Sequence, residues 1–156
     1  MNSAELSYFL QKNIITRRTF NGVFARDQLK HIQVPKNRPS SFVLNTEPLR
    51  IPIGHWICVY FIPNTDTAIY MDSFALPPLH KDVEKFLKKW ASKIYYNKRM
   101  IQDVTSSACG LYVMYFIYKL SQGTPMLKLL QPFHPIKTRQ NDKKVSCFIQ
   151  QRFKKL

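Results

Sequence analysis

The sequence predicts an α+β fold in which a central, mostly antiparallel sheet is flanked by helices. Segments 56–62 and 67–72 are rich in β-branched and aromatic residues, and a turn-forming stretch, 63–66, separates them. This pattern indicates a β-hairpin. Apolar residues recur at helical spacing in segment 83–94, and the later segment 108–120 is strongly apolar and predicts a second helix. A sheet with helices packed against it buries both kinds of apolar face.

The segments before the hairpin predict one helix, one loop and one strand. Ser3 is a candidate N-cap for a helix with one apolar face, formed by Leu6, Phe9 and Leu10. Residues 34–41 contain two prolines among polar residues, which is typical of a loop. The short run 42–46 then predicts a strand.

A helix and a short strand follow the hairpin. Pro77-Pro78 separates the hairpin from a helix that has lysines on one side and apolar residues on the other: Val83, Phe86, Leu87, Trp90 and Ile94. Residues 99–104 predict a short strand. One domain over residues 1–156 accommodates all these elements, since domains usually contain about 100–200 residues.

Two more helices complete the chain. Residues 105–107 offer N-cap side chains for an apolar helix from about Ala108 to Leu120, which Gly123 and Pro125 end. The last helix is expected to begin at residue 141 or 142 and to turn three apolar residues inward: Val145, Phe148 and Ile149.

The net charge of +15 comes from 24 Lys and Arg residues against nine Asp and Glu. A field of this size attracts polyanions, and nucleic acid is the commonest of them, so we expect DNA as a partner. A solvated basic surface without a specific partner is the alternative. The apolar runs are too short to span a bilayer, and the N-terminus does not resemble a signal peptide. We therefore expect a soluble intracellular protein without membrane partners.

Three cysteines, Cys58, Cys109 and Cys147, are widely separated, and no pair has C-x-x-C spacing. The sequence therefore indicates neither a zinc site nor a dithiol redox site. An intracellular chain keeps such thiols reduced. Cys58 lies in a predicted strand and Cys147 in a predicted helix, and both are interpreted as core thiols.

Cys109 is the candidate nucleophile. It lies just inside the N-terminus of a predicted helix, where unpaired N–H groups and the macrodipole favour the thiolate. Gly110 follows and lacks a side chain, which would let a substrate backbone approach the sulfur. A buried cysteine in an apolar helix is the alternative interpretation.

His55 and Asp72 are the candidate base and its orienting partner. His55 precedes the first hairpin strand and Asp72 ends the second, so a paired hairpin brings them together. An imidazole beside the thiol suits general-base chemistry, and a carboxylate on its other nitrogen fixes the tautomer. A structural histidine and a turn aspartate are the alternatives. His31, His80 and His134 lie in loop-like contexts and are interpreted as structural.

Gln102 precedes Cys109 by seven residues. Its amide is a candidate donor to the oxyanion, together with the backbone N–H of Cys109. A solvated strand residue is the alternative.

The ordered set His55-Trp56, Asp72-Ser73, Gln102 and Cys109-Gly110 resembles the adenovirus protease (adenain) family and, more distantly, the SUMO-specific proteases. The resemblance spans about residues 20–130. It implies a papain-like cysteine protease fold with permuted chain order. It also implies His55, Asp72, Gln102 and Cys109 as base, orienter, oxyanion donor and nucleophile, without a metal. Trp56 is then expected to flank the cleft, although core packing explains a tryptophan equally well.

The chain departs from the adenovirus proteases in three ways. It is shorter, it has Asp72 where they usually have glutamate, and residues 75–101 lack the cysteine that would join an activating viral peptide by a disulfide. No disulfide-linked activator is therefore expected, whereas a noncovalent peptide activator stays open. DNA as an activator agrees with the net charge.

The resulting hypothesis is a viral cysteine endopeptidase that cleaves capsid or core precursor proteins at small, glycine-type sites. The resemblance places such an enzyme, as a monomer, in the host nucleus or virion factory and in the virion. Two alternatives are a ubiquitin- or SUMO-like deconjugating protease and a basic DNA-binding structural protein without catalysis.

Overall fold

The computed structural model describes residues 1–153, which form five α-helices and five strands. In order they are α1 Ser3–Lys12, β1 Phe20–Ala25, β2 Ser40–Asn45, β3 Trp56–Ile62, β4 Thr67–Met71, α2 Lys81–Trp90, β5 Lys93–Tyr96, α3 Cys109–Ser121, α4 Met126–Leu129 and α5 Thr138–Phe153. Short 3-10 turns cover Thr16–Arg18 and Arg26–His31.

The five strands form one sheet in the order β1-β2-β3-β4-β5. The inner pairs, β2–β3 and β3–β4, are antiparallel, whereas β1 and β5 pair in parallel at the two edges. The predicted fold class, α+β with a sheet flanked by helices, is confirmed, and so is the hairpin. The sheet is mixed and not mostly antiparallel as expected, because two of its four strand pairings are parallel; the sequence did not indicate these parallel edges.

Helices cover both faces of this sheet. Helices α1, α3 and α5 pack on one face, and α2 with the 3-10 turn Arg26–His31 packs on the other. Strand β3 alternates between the two cores, since Cys58 lies in the first and Ile57 and Val59 in the second. Burial on both faces explains why the run 56–62 is apolar without alternation.

Several boundaries differ from the prediction. Asn2, not Ser3, caps α1: its Oδ1 accepts the Glu5 N–H at 2.9 Å, and the Glu5 carboxylate accepts the Asn2 N–H at 2.9 Å. Strand β2 begins at Ser40, inside the predicted loop. Helix α5 begins at Thr138, and Asn141 lies buried within it and donates to the Ile101 carbonyl at 3.0 Å.

Two predicted elements are wrong. Helix α2 ends at Trp90, and Ile94 lies in β5 because the backbone becomes extended at Ala91. Residues 99–104 form no strand; they are held instead by main-chain bonds from Ile101 and Gln102 to the Ser73 carbonyl. Helix α3 starts after Ala108 without a side-chain cap, so residues 105–107 do not act as its N-cap.

The described residues contain no helix with the length and apolarity needed to cross a bilayer.

Candidate active site

The β3–β4 hairpin places His55 beside Asp72. Cys58 pairs with Met71 in the antiparallel register. His55 directly precedes β3 and Asp72 directly follows β4, so both residues lie at the same end of the hairpin. His55 Nε2 lies 2.6 Å from Asp72 Oδ1, and the imidazole stacks on the Phe74 ring with 4.7 Å between centroids. The predicted pair is therefore assembled by strand pairing.

Asp72 is 2% exposed and is held on three sides. Its Oδ1 also accepts the Phe74 N–H at 2.8 Å. The Asn97 side chain bonds the Asp72 main chain twice, accepting from the N–H at 2.9 Å and donating to the C=O at 2.6 Å. A buried carboxylate with these partners has little freedom to turn away from the imidazole.

Cys109 is the first residue of α3, and its thiol interacts with the His55 imidazole. Burial of the thiol, the largest influence, raises the pKa of Cys109. Hydrogen bonds from His55 and from the backbone N–H groups of Trp56 and Gly110 outweigh burial, and the net shift of the pKa is downward. The helix N-terminus favours the anion further.

His55 responds in the opposite direction. Burial alone would lower its pKa, but hydrogen bonds to Asp72 and Cys109 and the charges of both raise it from 6.5 to about 9. A lowered thiol pKa beside a raised imidazole pKa favours a thiolate–imidazolium pair at neutral pH. This pair is the form in which a cysteine attacks a carbonyl carbon.

Gln102 is 1% exposed, buried behind the loop that leads to Cys109. Its Nε2 donates to the Ser106 carbonyl at 2.9 Å and lies 3.3 Å from the Ser106 hydroxyl, while its Oε1 accepts from Ser73 Oγ at 2.5 Å. The interpretation as a solvated strand residue is wrong, because the side chain is neither solvated nor in a strand.

Met1 lies across the seam between β3 and α3. Its carbonyl accepts the Trp56 Nε1–H at 3.1 Å, and a methyl group added to Gly110 would meet Met1 Cβ at 3.1 Å. The space above Gly110 is thus taken by Met1, contrary to the expectation that it lies open to a substrate backbone. Trp56 is 7% exposed and packs in the core, as one of the two interpretations of this tryptophan expected.

The other cysteines and histidines lie elsewhere. Cys58 is buried in the core, and burial raises the pKa of its thiol. Cys147 is exposed on α5, so its interpretation as a core thiol is wrong; the inward face of α5 is formed by Val145, Ile149 and Phe153, with Phe148 partly buried. His134 accepts the N–H groups of residues 136 and 137 through Nδ1, a structural role.

Sequence reasoning missed Met1, Ser73 and Asn97 as parts of the site. Ser73 stood next to Asp72 in the motif, and this adjacency was the one available signal. Asn97 lies 25 residues from its partner Asp72, and nothing local marks it. Within residues 1–153, no group of three or more His, Cys, Asp or Glu side chains has the spacing of a metal site.

No protein-family model and no curated protein matches this sequence. Its fold nevertheless matches solved structures. The ASFV pS273R protease aligns with a TM-score of 0.59 and 12% identity, over 90% of this chain and 65% of that one. SUMO protease Ulp1 with its catalytic cysteine oxidized to a sulfinic acid gives 0.54 and 15%, over 98% and 78%.

A third match is the C-terminal Ulp1 protease domain in complex with Smt3, the yeast orthologue of SUMO. It gives a TM-score of 0.55 and 14% identity, over 96% of this chain and 74% of that one. These likenesses show the fold: this chain has the architecture of the Ulp1-like cysteine proteases, as the predicted papain-like arrangement requires. It spans 65% of the length of the ASFV protease.

Proposed function

We propose that this protein is a cysteine peptidase with Cys109 as nucleophile, His55 as base, Asp72 as orienter and Gln102 as oxyanion donor. One observation carries the proposal: the His55 imidazole hydrogen-bonds the buried Asp72 carboxylate at 2.6 Å, and Cys109 lies close enough to the same imidazole to raise the pKa of His55 while its own pKa is lowered. The fold likeness to cysteine proteases supports it independently.

Acylation follows from this geometry. The Cys109 thiolate attacks the scissile carbonyl carbon, a C–S bond forms, and the carbonyl electron pair moves onto oxygen. The C–N bond then breaks as the oxyanion collapses, and the leaving amine takes the proton of the His55 imidazolium. Asp72 keeps the imidazole in the orientation that directs this proton to the leaving group.

Deacylation returns the enzyme to its starting state. A water molecule gives a proton to the now neutral His55 and attacks the thioester carbon. Collapse of the second tetrahedral intermediate breaks the C–S bond and releases the carboxylic acid product and the thiolate. The backbone N–H of Cys109 and the amide of Gln102 are assigned to the oxyanion in both steps.

The substrate assignment is a viral capsid or core precursor cleaved after small, glycine-type residues. The resemblance of the motif to the adenovirus proteases supports it, as does the fold likeness to a protease of ASFV. The same resemblance assigns the enzyme to the host nucleus or virion factory and to the virion. A monomer suffices for this chemistry, because one chain contributes all four residues.

DNA is proposed as an activator. A groove between the 3-10 turn Arg26–His31 and helix α2 is lined by the basic side chains Arg26, Lys30, Lys85 and Lys89 and by two aspartates. Arg26 pairs with Asp82 at 3.0 Å, and the three lysines then face one aspartate, so positive charge prevails there. A noncovalent peptide activator is a further proposal.

The test is cleavage of a fluorogenic Gly-Gly peptide by the wild type and by Cys109→Ala, with and without DNA. Cleavage by the wild type alone, stimulated by DNA, is expected. Cleavage by Cys109→Ala at the wild-type rate would refute the assignment. DNA binding without cleavage, in a protein whose Cys109 resists peptide vinyl sulfones, would favour a basic DNA-binding structural protein.

A deconjugating protease is the second candidate, and the likeness to Ulp1 in complex with Smt3 favours it. Fluorogenic ubiquitin and SUMO substrates separate the two functions. Release from either that is much faster than from the Gly-Gly peptide would identify a deconjugating protease, because a folded modifier then contributes binding energy that the peptide lacks.

A further inference from the structure

Ser73 has a buried hydroxyl that the proposed chemistry does not use. The residue is 1% exposed and follows Asp72 directly. Its Oγ donates to Gln102 Oε1 at 2.5 Å. Two neighbouring residues therefore reach the two halves of the site: Asp72 contacts the imidazole, and Ser73 contacts the amide assigned to the oxyanion.

The surroundings of Gln102 determine which way its amide faces. A backbone carbonyl can only accept, so the group 2.9 Å from the Ser106 carbonyl is the NH₂. The oxygen then faces Ser73, whose hydroxyl must donate to it. One amide hydrogen goes to the Ser106 carbonyl, and the second has only the 3.3 Å contact with the Ser106 hydroxyl. This second hydrogen is the one available to an oxyanion.

Ser73 also holds the backbone of Gln102. Its carbonyl accepts the N–H groups of Ile101 at 3.0 Å and Gln102 at 3.2 Å. The same residue thus restrains the main chain and the side chain of the proposed oxyanion donor. Such a pre-organised donor costs no reorganisation when negative charge develops.

We propose that Ser73 is a positioning residue of the oxyanion site, whose hydroxyl holds the Gln102 amide with its NH₂ towards the nucleophile loop. The inference rests on the proposed function. Without the hydroxyl, the amide oxygen loses its partner and the amide can rotate, and its hydrogen is no longer presented in the transition state.

Ser73→Ala tests this role in two reactions of Cys109. Iodoacetamide alkylation displaces iodide and forms no oxyanion, so its rate and pH profile should match the wild type. Hydrolysis of the Gly-Gly peptide forms an oxyanion, so kcat should fall at least about tenfold with KM little changed, towards the 10²–10³-fold loss typical of deleting one donor. Inhibition by a peptide aldehyde, which forms a thiohemiacetal oxyanion, should weaken in parallel.

Three further variants make the assignment specific. Ser73→Thr keeps the hydroxyl and should restore most of kcat. Ser73→Ala should cost nothing more in a Gln102→Ala background, because the residues act as one unit. Ser41→Ala is the control. Ser41 lies in β2, and its fully buried hydroxyl is 2.9 Å from the Thr19 hydroxyl, so its loss should lower stability without changing kcat.

The outcomes separate the inference from the proposed function. If the wild type cleaves and Ser73→Ala matches it, or if the two losses multiply in the double variant, the positioning role is refuted while the peptidase stands. An equal loss of alkylation rate in Ser73→Ala refutes it too, since a general disturbance of the site is then responsible. If the wild type neither cleaves nor reacts with the aldehyde, the proposed function fails and this inference with it.

Discussion

Asn97 binds the main chain of Asp72 as a strand partner would. Its amide accepts from the Asp72 N–H at 2.9 Å and donates to the Asp72 carbonyl at 2.6 Å. The parallel pairing of β4 with β5 ends at Tyr70 and Tyr96, and the side chain of the next residue, Asn97, bonds Asp72, two residues beyond Tyr70. The carboxylate that contacts His55 is thus held by the sheet edge.

Asn97→Ala is expected to destabilise the protein and to loosen Asp72. It leaves a buried N–H and a buried C=O without partners, at a cost of about 1–3 kcal/mol for each unsatisfied group. Urea denaturation measures the loss. Asn21→Ala, which removes an amide in β1, is the control with a small effect, and equal midpoints for the two variants would contradict the expected role.

Asp72→Asn is expected to lower the pKa of His55 and to raise that of Cys109. Burial continues to disfavour the imidazolium, but the carboxylate that raised the His55 pKa to about 9 is lost. Iodoacetamide alkylation at pH 6 should therefore slow, and kcat/KM should fall by roughly 10²–10⁴, the range for general acid–base groups.

The amide in Asp72→Asn keeps an acceptor for the Phe74 N–H, so the variant should fold. Asp82→Asn is the matched control. It removes a carboxylate on α2 that pairs with Arg26, and it should retain the wild-type pH profile. An alkylation rate with the same pH profile in Asp72→Asn as in the wild type would show that the carboxylate does not raise the pKa of the imidazole.

The pH dependence of peptide cleavage should follow the thiolate–imidazolium pair. Activity needs the Cys109 thiolate, so it rises as pH increases through the lowered pKa of that thiol. It also needs a protonated His55 for the leaving amine, so it is lost as pH rises through about 9. A rate profile that keeps rising above pH 10 would contradict the ion pair.

Trp56→Phe is expected to free Met1 while preserving an aromatic ring in the core. The indole Nε1–H bond to the Met1 carbonyl is lost, so Cys109, which is 9% exposed, should react faster with iodoacetamide at fixed pH. Stability should fall by about 1 kcal/mol, the net value of one hydrogen bond.

Trp90→Phe is the control for Trp56→Phe, because Trp90 Nε1 is buried without a hydrogen-bond partner among residues 1–153. It should leave the alkylation rate unchanged. Equal rates for Trp56→Phe and the wild type would show that Met1 does not shield the thiol.

Lys85→Glu and Lys89→Glu are expected to weaken DNA binding and to reduce its salt dependence. A lysine that pairs with a phosphate releases counterions, so the slope of log K against log salt should fall by about one for each such lysine that is replaced. Fluorescence anisotropy at several salt concentrations measures it. Lys128→Glu is the charge-matched control, because Lys128 lies on α4, which packs on α3 at the opposite side of the sheet from α2. If all three variants had the same slope of log K against log salt, the DNA would bind outside the groove between α2 and the 3-10 turn Arg26–His31.

The sequence predicted the elements whose signal is local. The hairpin was clear because two runs rich in β-branched and aromatic residues flank a turn, and helix α3 was clear because a long apolar run is ended by Gly123 and Pro125. Strands β1 and β5 were missed: β1 contains Gly22 and is only partly buried along most of its length, and β5 is largely exposed. Ile94 was assigned to α2 because it lies four residues after Trp90, which is a helical spacing. The spacing arises by chance, since Ile94 belongs to the strand that follows the helix.

The sequence by itself determined the fold class and the order of His55, Asp72, Gln102 and Cys109, since the motif and the hydrophobic pattern are local features of the chain. Tertiary structure alone decided how these residues are held. Met1 reaches Trp56 across 55 positions and Ser73 reaches Gln102 across 29. A hydrogen bond between distant residues leaves no periodic pattern, so only the folded chain reveals which polar groups meet.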